Sequence, residues 1–266
     1  DAKTINIEAV ELIDRAGIAS IENDSAMPSF IKDFDENITA LLIETRAISD
    51  EQLDIQTIQI EELLKEFEVV KQIFFTKDVA QYTLYWKIRK GLFPAVGAVR
   101  KTGTTVIIED VAYPIEHLAE ATLELQELFK KHGYKEAIIF GHALEGNFHF
   151  VFTQDFSHKK EVKRYDDFMN DVVHSVAVKY QGSLKAEHGT GRNMAAFVEL
   201  EWGNDAYMMM KKIKNLFDPR GLLNPGVIIN DDKEAHLKNL KTLPATNPIV
   251  DKCIECGFCE PTCPSN

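Results

Sequence analysis

The sequence predicts an α+β fold, a mostly antiparallel sheet with helices on one face. Three observations carry that expectation. Short apolar or alternating runs of strand length stand at 39–46, 69–76, 104–112, 137–142 and 147–152. Longer runs with helical spacing lie among them, at 7–22, 50–67, 76–90, 115–132 and 159–180. Around the centre the order is strand, helix, strand, strand, helix, which suits a sandwich of sheet and helices better than an alternating parallel fold.

Along the chain, Val10, Ile13, Ala16 and Ile21 in 7–22 fall near helical spacing and predict a first amphipathic helix. A polar segment with Pro28 follows, and TALLIETR at 39–46 predicts a buried strand. Asp50 is placed to cap a helix through 67, and 69–76 resembles a further strand. In 76–90, Val79, Tyr82, Trp86 and Arg89 share one side, with Gly91 as the stop. An arginine among aromatics is first of all a snorkelling or cation–π residue.

TTVIIEDVA at 104–112 predicts a strand, and 115–132 a helix ended by Gly133. The stretch FGHALEGNFHFVF at 140–152 predicts two strands around a Glu-Gly turn at 144–146. Alternation sends Phe148, Phe150 and Phe152 to one face, and Asn147, His149 and Val151 to the other. The first face is core and the second carries polar chemistry. A long helix at 159–180 ends near Gly182, and 192–217 predicts two more helices, closed by DPRG and LNPG.

Three segments result: a main domain at 1–230, a polar, proline-bearing linker at 231–252, and a cysteine-rich start of a module at 253–266. The chain has 266 residues, 45% of them hydrophobic, enough for a sizeable core. A net charge of -12 without a Lys/Arg cluster excludes a nucleic-acid surface. No apolar run approaches the ~20 residues of a membrane span. A first residue other than Met and a cysteine motif close to the last residue suggest a piece of a longer polypeptide.

All four cysteines lie in 253–263, as Cys253, Cys256, Cys259 and Cys263 followed by Pro264. This C-x2-C-x2-C-x3-C-P run is that of bacterial ferredoxins, in which short spacers fold the backbone around a [4Fe-4S] cluster. Structural zinc is the weaker alternative, because zinc sites usually pair two separated Cys-x-x-Cys knuckles. Cysteines confined to one metal motif imply a reducing compartment, so a cytoplasmic location is expected, with peripheral attachment at the inner face of a membrane as a variant.

His142 and His149 flank the central turn, and Glu187 and His188 precede two glycines in KAEHGTGR at 185–192. Two histidines and a carboxylate are ligands for a divalent ion such as zinc, with one position left open. His188 would then be available as a base, since an imidazole is the side chain suited to proton transfer at neutral pH. Asn147 is placed to hydrogen-bond a substrate oxygen. The alternative is a set of unrelated histidines, and any one of them alone would favour it.

Taken together, WKIR at 86–89, IED at 108–110 with Pro114, GH at 141–142, NFH at 147–149, AEHG at 186–189, and FDP to LNPG at 217–226 resemble the C-terminal substrate domain of FAD-linked D-2-hydroxy-acid dehydrogenases. These are the D-lactate and D-2-hydroxyglutarate dehydrogenases. The turn LEGN at 144–147 looks like the longer branch fused to iron–sulfur modules, which the cysteine run supports independently.

The resemblance implies the ferredoxin-like FAD-oxidase C-terminal domain, with FAD held mainly by an N-terminal domain outside this chain. It implies that His142, His149 and Glu187 hold the metal, that His188 takes the hydroxyl proton, that Arg89 pairs with the substrate carboxylate and that Asn147 assists. Electrons would pass through FAD to the clusters on Cys253, Cys256, Cys259 and Cys263, and on to a quinone or another acceptor. Two further polar substrate contacts of the family fall on Phe93 and Ile108, so the choice of 2-hydroxy acid stays open.

Two rivals stand beside this reading. A metal-dependent hydrolase would use the same ligands with Glu145 as base for a bound water, and would work without flavin. A non-catalytic electron-transfer or docking segment would need only the cluster. With no Gly-rich phosphate loop in it, the chain by itself is expected to bind neither FAD tightly nor substrate productively.

Overall fold

The computed structural model describes residues 5–23, 27, 29–71, 73–257 and 259–264. Pro28, named above, lies outside them, as do residues 258 and 265–266 of the cysteine-rich segment. The chain divides into two compact units, Asp1–Leu92 with Ile139–Leu144, and Phe93–Ile138 with Glu145–Asn266.

In the first unit the central strand is β1, Ala9–Asp14. It runs antiparallel to β2, Thr39–Glu44, with Ala9 opposite Glu44 and Asp14 opposite Thr39. On its other side it runs antiparallel to β4, Ile138–His142, with Glu11 opposite His142 and Ile13 opposite Phe140. The helix expected over 7–22 is therefore a strand followed by a short helix α1, Arg15–Ile21. Six residues with apolar groups at both spacings do not separate the two periods, and ladders on both sides satisfy the strand's backbone groups. Asp14 ends the strand by capping α1, its Oδ1 accepting from the Gly17 N–H at 2.7 Å.

β2 is half exposed, not a buried strand. Helix α2, Asp50–Leu64, is capped by Ser49, not Asp50, the Ser49 hydroxyl accepting from Gln52 N–H. The described residues of 69–76 form no strand, and Val69, Val70 and Phe74 are exposed. Helix α3, Val79–Val99, runs through Gly91, where glycine costs helix stability but does not by itself end the ladder.

In the second unit β3, Thr105–Ala112, pairs antiparallel with β5, Asn147–Gln154, from Thr105 opposite Gln154 to Ala112 opposite Asn147. A 3-10 turn, Ala143–Glu145, and Gly146 at φ 71° precede β5, where the sequence predicts the turn. Helices α4, Leu118–His132, and α5, Lys159–Val173, cover the Phe148, Phe150 and Phe152 face. Phe129 of α4 lies 5.7 Å from Phe150, and Phe168 of α5 lies 5.1 Å from Phe152, ring centre to ring centre. Alternation thus sorts the strand as expected, but the second face is buried too, since Val151 and His149 have at most 4% exposure.

α5 widens into a π-helical turn, His174–Lys179, before the chain reaches Gly182. Residues 192–217 hold parts of three helices instead of two: α6, Gly191–Ala195; α7, Val198–Trp202; and α8, Asn204–Phe217. Gly203 at φ 79° separates the last two. Asp218 closes α8, accepting from the N–H groups of Leu222 and Leu223 and from Lys214 Nζ at 2.7 Å. In the polar segment 231–252, His236 is buried with Nε2 3.0 Å from Asp166, and Thr105 Oγ1 donates to the Lys241 carbonyl. Among the described residues no helix is long and apolar enough to cross a membrane.

Candidate active site

Each unit holds a group of the residues singled out in the sequence. In the first unit the β1–β4 register sets Glu11 directly opposite His142. Glu11 is 2% exposed, and its two oxygens are both used: Oε1 lies 2.6 Å from His142 Nδ1, and Oε2 accepts from Arg89 Nε at 2.7 Å. Nδ1 is the ring nitrogen that faces the Glu11 carboxylate, so the Nε2 edge of His142 is turned away from Glu11. Arg89 also stacks on Phe140, its guanidinium carbon 4.6 Å from the ring centre. It is thus both the cation–π residue of the simpler reading and one half of a buried ion pair. The pair is made through Nε, which leaves the planar fork of terminal nitrogens outside that bond.

In the second unit the organising residue is Asp110, which the sequence motif includes without assigning it a role. It has no exposed surface. Oδ1 accepts from Asn147 Nδ2 at 2.6 Å, and Oδ2 accepts the backbone N–H groups of Glu187 and His188 at 2.7 and 2.8 Å. Asp110 stands opposite His149 in the ladder, and its Oδ1 is 3.6 Å from His149 Nδ1. Burial pushes the Asp110 carboxyl up, but the His188 N–H, the Asn147 amide and the Glu187 N–H outweigh it and hold the group below its usual value. One ionised carboxylate therefore fixes Asn147, lies beside His149 and ties down the backbone that carries Glu187 and His188.

His149 Nε2 lies 3.0 Å from Glu187 Oε1, and the His149 and His188 rings stack at 4.8 Å. Two ligands on one tetrahedral zinc at ~2.0–2.1 Å would be about 3.3 Å apart, so this spacing and donor set fit a shared divalent ion. The loop bearing Glu187 reaches this place because Ser183 pairs with Ala112 in an isolated bridge at the end of β3. Glycine is required beside it: a Cβ on Gly182 would sit 2.2 Å from the Ala112 carbonyl oxygen. Ile108, two residues before Asp110 on the same side of β3, brings no polar group to this face, and Phe93 is half-buried in α3.

Neighbouring Glu109 points to the opposite side of β3. It is 1% exposed, paired with Lys185 Nζ, and accepts from Asn193 Nδ2. Burial raises its carboxyl pKa despite Lys185 and Asn193. Glu11, Glu109 and the role of Asp110 escaped the sequence reading. The signal was present, since an acid inside an apolar strand run, as in AVELID and TVIIEDVA, must find partners once buried.

The four cysteines carry no disulfide; Cys253, Cys259 and Cys263 are exposed and Cys256 is half-buried. Glu255 at φ 61° and Gly257 at φ 76° turn the chain tightly between them, and Glu255 N–H points to Cys253 Sγ at 3.4 Å. Four cysteines outside any disulfide on a tightly turning backbone, with an amide aimed at the Cys253 sulfur, fit a thiolate-bound cluster.

Residues 1–228 match the family model described as FAD linked oxidases, C-terminal domain. The chain belongs to that family. It is 30% identical over 233 residues to the mitochondrial D-lactate dehydrogenase [cytochrome] of Arabidopsis thaliana, covering 85% of this chain and 38% of that protein. It is 27% identical over 194 residues to the D-2-hydroxyglutarate dehydrogenase of Escherichia coli, covering 72% of this chain and 19% of the other. This member of the FAD-linked oxidases thus spans well under half the length of those relatives. Among solved structures, 4-ethylphenol oxidase from Gulosibacter chungangensis in its isoeugenol complex superposes with a TM-score of 0.53 at 14% identity, over 83% of this chain and 47% of that one. That likeness supports the α+β architecture.

Proposed function

We propose that this chain is the substrate-holding part of a flavin-dependent dehydrogenase that oxidises a D-2-hydroxy acid, of the D-lactate or D-2-hydroxyglutarate type, to the 2-oxo acid. The observation that carries the reading is the arrangement of Asn147, His149, Glu187 and His188 around buried Asp110, in a family whose relatives carry those activities in their names. His142, His149 and Glu187 would hold a divalent ion, for which zinc suits the two imidazoles and one carboxylate. Cys253, Cys256 and Cys259 would hold three irons of a [4Fe-4S] cluster, and Cys263, as in two-cluster ferredoxins, would be a ligand of a second one. FAD would be held mainly by the part of a longer protein that this chain does not include.

When bound, the ion would supply polarisation of the 2-hydroxyl, the flavin an acceptor for the C2 hydride, and the cluster a one-electron route towards a quinone or another acceptor. The chain's own residues bind, orient and move the proton. The Arg89 fork pairs with the substrate carboxylate while Glu11 holds its Nε edge. Asn147, fixed by Asp110, orients a substrate oxygen. His188 takes the hydroxyl proton at its imidazole, and loss of that proton with the C2 hydride leaves the 2-oxo acid.

The test is a full-length protein carrying this segment, assayed with D- and L-lactate and D- and L-2-hydroxyglutarate and an artificial electron acceptor. The expected result is flavin-dependent turnover of a D acid, with His188→Asn lowering kcat about 10²- to 10⁴-fold at unchanged metal content. Turnover of none of these acids, or hydrolysis without flavin, would defeat the reading.

A further inference from the structure

We infer that the adjacent acids Glu109 and Asp110 act as paired positioning residues, gripping the 185–193 segment from opposite faces of β3 and so setting where Glu187 and His188 stand. The inference rests on the proposed role of those two residues and names what holds them in place.

Successive side chains of a strand leave on opposite sides, so two neighbouring carboxylates on β3 reach two different parts of one loop. Asp110 takes the middle, its Oδ2 accepting from the Glu187 and His188 N–H groups at 2.7 and 2.8 Å. Glu109 takes the two ends, with Oε2 on Lys185 Nζ and Oε1 on Asn193 Nδ2. Asn193 is in turn oriented by Tyr165, whose hydroxyl donates to Asn193 Oδ1 at 2.9 Å. Between the two anchored ends, Gly189 at φ 74° and Gly191 at φ 62° have no heavy atom within 4 Å of an added Cβ. The glycine half of the loop is thus open, and the half carrying Glu187 and His188 is the half tied to Asp110. Because Asp110 Oδ1 holds Asn147, the same carboxylate sets the loop against β5.

Charge is needed for this arrangement. Donors meet both oxygens of Asp110, and an asparagine there offers one accepting oxygen and one donating NH2. Whichever way it turned, either Asn147 or the loop amides would face a donor.

The experiment is hydrogen exchange followed by mass spectrometry on the full-length protein, wild type beside Asp110→Asn and Asn193→Ala, with divalent-metal affinity measured by chelator competition in the same samples. Asn193→Ala removes one latch on Glu109 from a half-exposed position outside the strand, leaving the Lys185 contact and every strand residue in place. The expected result is exchange in peptides covering 184–190 faster by about tenfold or more, with peptides from β5 unchanged, and metal affinity lower by about 10- to 100-fold in Asp110→Asn. Unchanged exchange at 184–190 in both variants overturns the inference. If Asp110→Asn loosens β3 and β5 as much as the loop, Asn193→Ala decides: a change confined to the loop upholds the grip, and no change overturns it. A wild-type protein that holds no divalent metal would count against the proposed function, while the exchange pattern would still decide the grip.

Discussion

Glu11 Oε1 meets His142 Nδ1 at 2.6 Å across the β1–β4 ladder, while the other oxygen of the same carboxylate holds Arg89. A buried acid behind a histidine fixes the ring's tautomer and orientation, as the outer partners of metal-bound histidines do. Glu11→Gln keeps the shape and removes the charge, leaving Arg89 buried without its counter-ion. The expected cost is about 3–5 kcal/mol of stability, read as a lower urea midpoint, and about 10- to 100-fold weaker metal binding in the full-length protein. A variant as stable as wild type would show that Arg89 finds another partner.

The aromatic layer gives a second expectation. Phe150 has no exposed surface and lies against Phe129, Phe152 and Phe168. Phe150→Ala should cost about 3–5 kcal/mol through lost burial and the cavity left behind. Denaturant titration checks it, and a cost below about 1 kcal/mol would mean that the layer collapses around the gap.

Acid stability should depend on Asp218. Lys214 and the amides of Leu223 and Leu222 hold its carboxyl down at about 2, from the usual 3.8. A pKa depressed in the folded state contributes stability that is fully present above the unfolded value of 3.8 and fades as pH falls through about 2. Asp218→Asn should therefore lower Tm at pH 5, with the difference from wild type shrinking between about pH 4 and pH 2. A difference that stays constant over that window would assign the loss to shape and not to charge.

The cysteine run is tested by composition. Anaerobic reconstitution of the full-length protein should give iron and acid-labile sulfide that fall by about one cluster, four iron atoms, in a Cys253→Ser, Cys256→Ser double variant, with no loss of divalent metal bound elsewhere. Zinc in place of iron at these cysteines would support the structural-zinc alternative.

The sequence by itself determined the strand-forming run 147–152 and the turn before it, the helix stop at Gly133, and the set of motifs that marks the family. These are local signals: alternation, a left-handed glycine, and residues read within a few positions of each other. The same local logic misread 7–22, where a six-residue run fits helical and strand spacing equally well, and 76–90, where Gly91 does not stop the helix. Tertiary structure decided which carboxylates matter. Glu11 meets His142 across 131 residues and Asp110 meets Glu187 across 77, through ladder registers and a loop docked at the end of a strand. Such partners are brought together when the sheet forms, because only then does a buried charge have to be matched by whichever donors the register places against it.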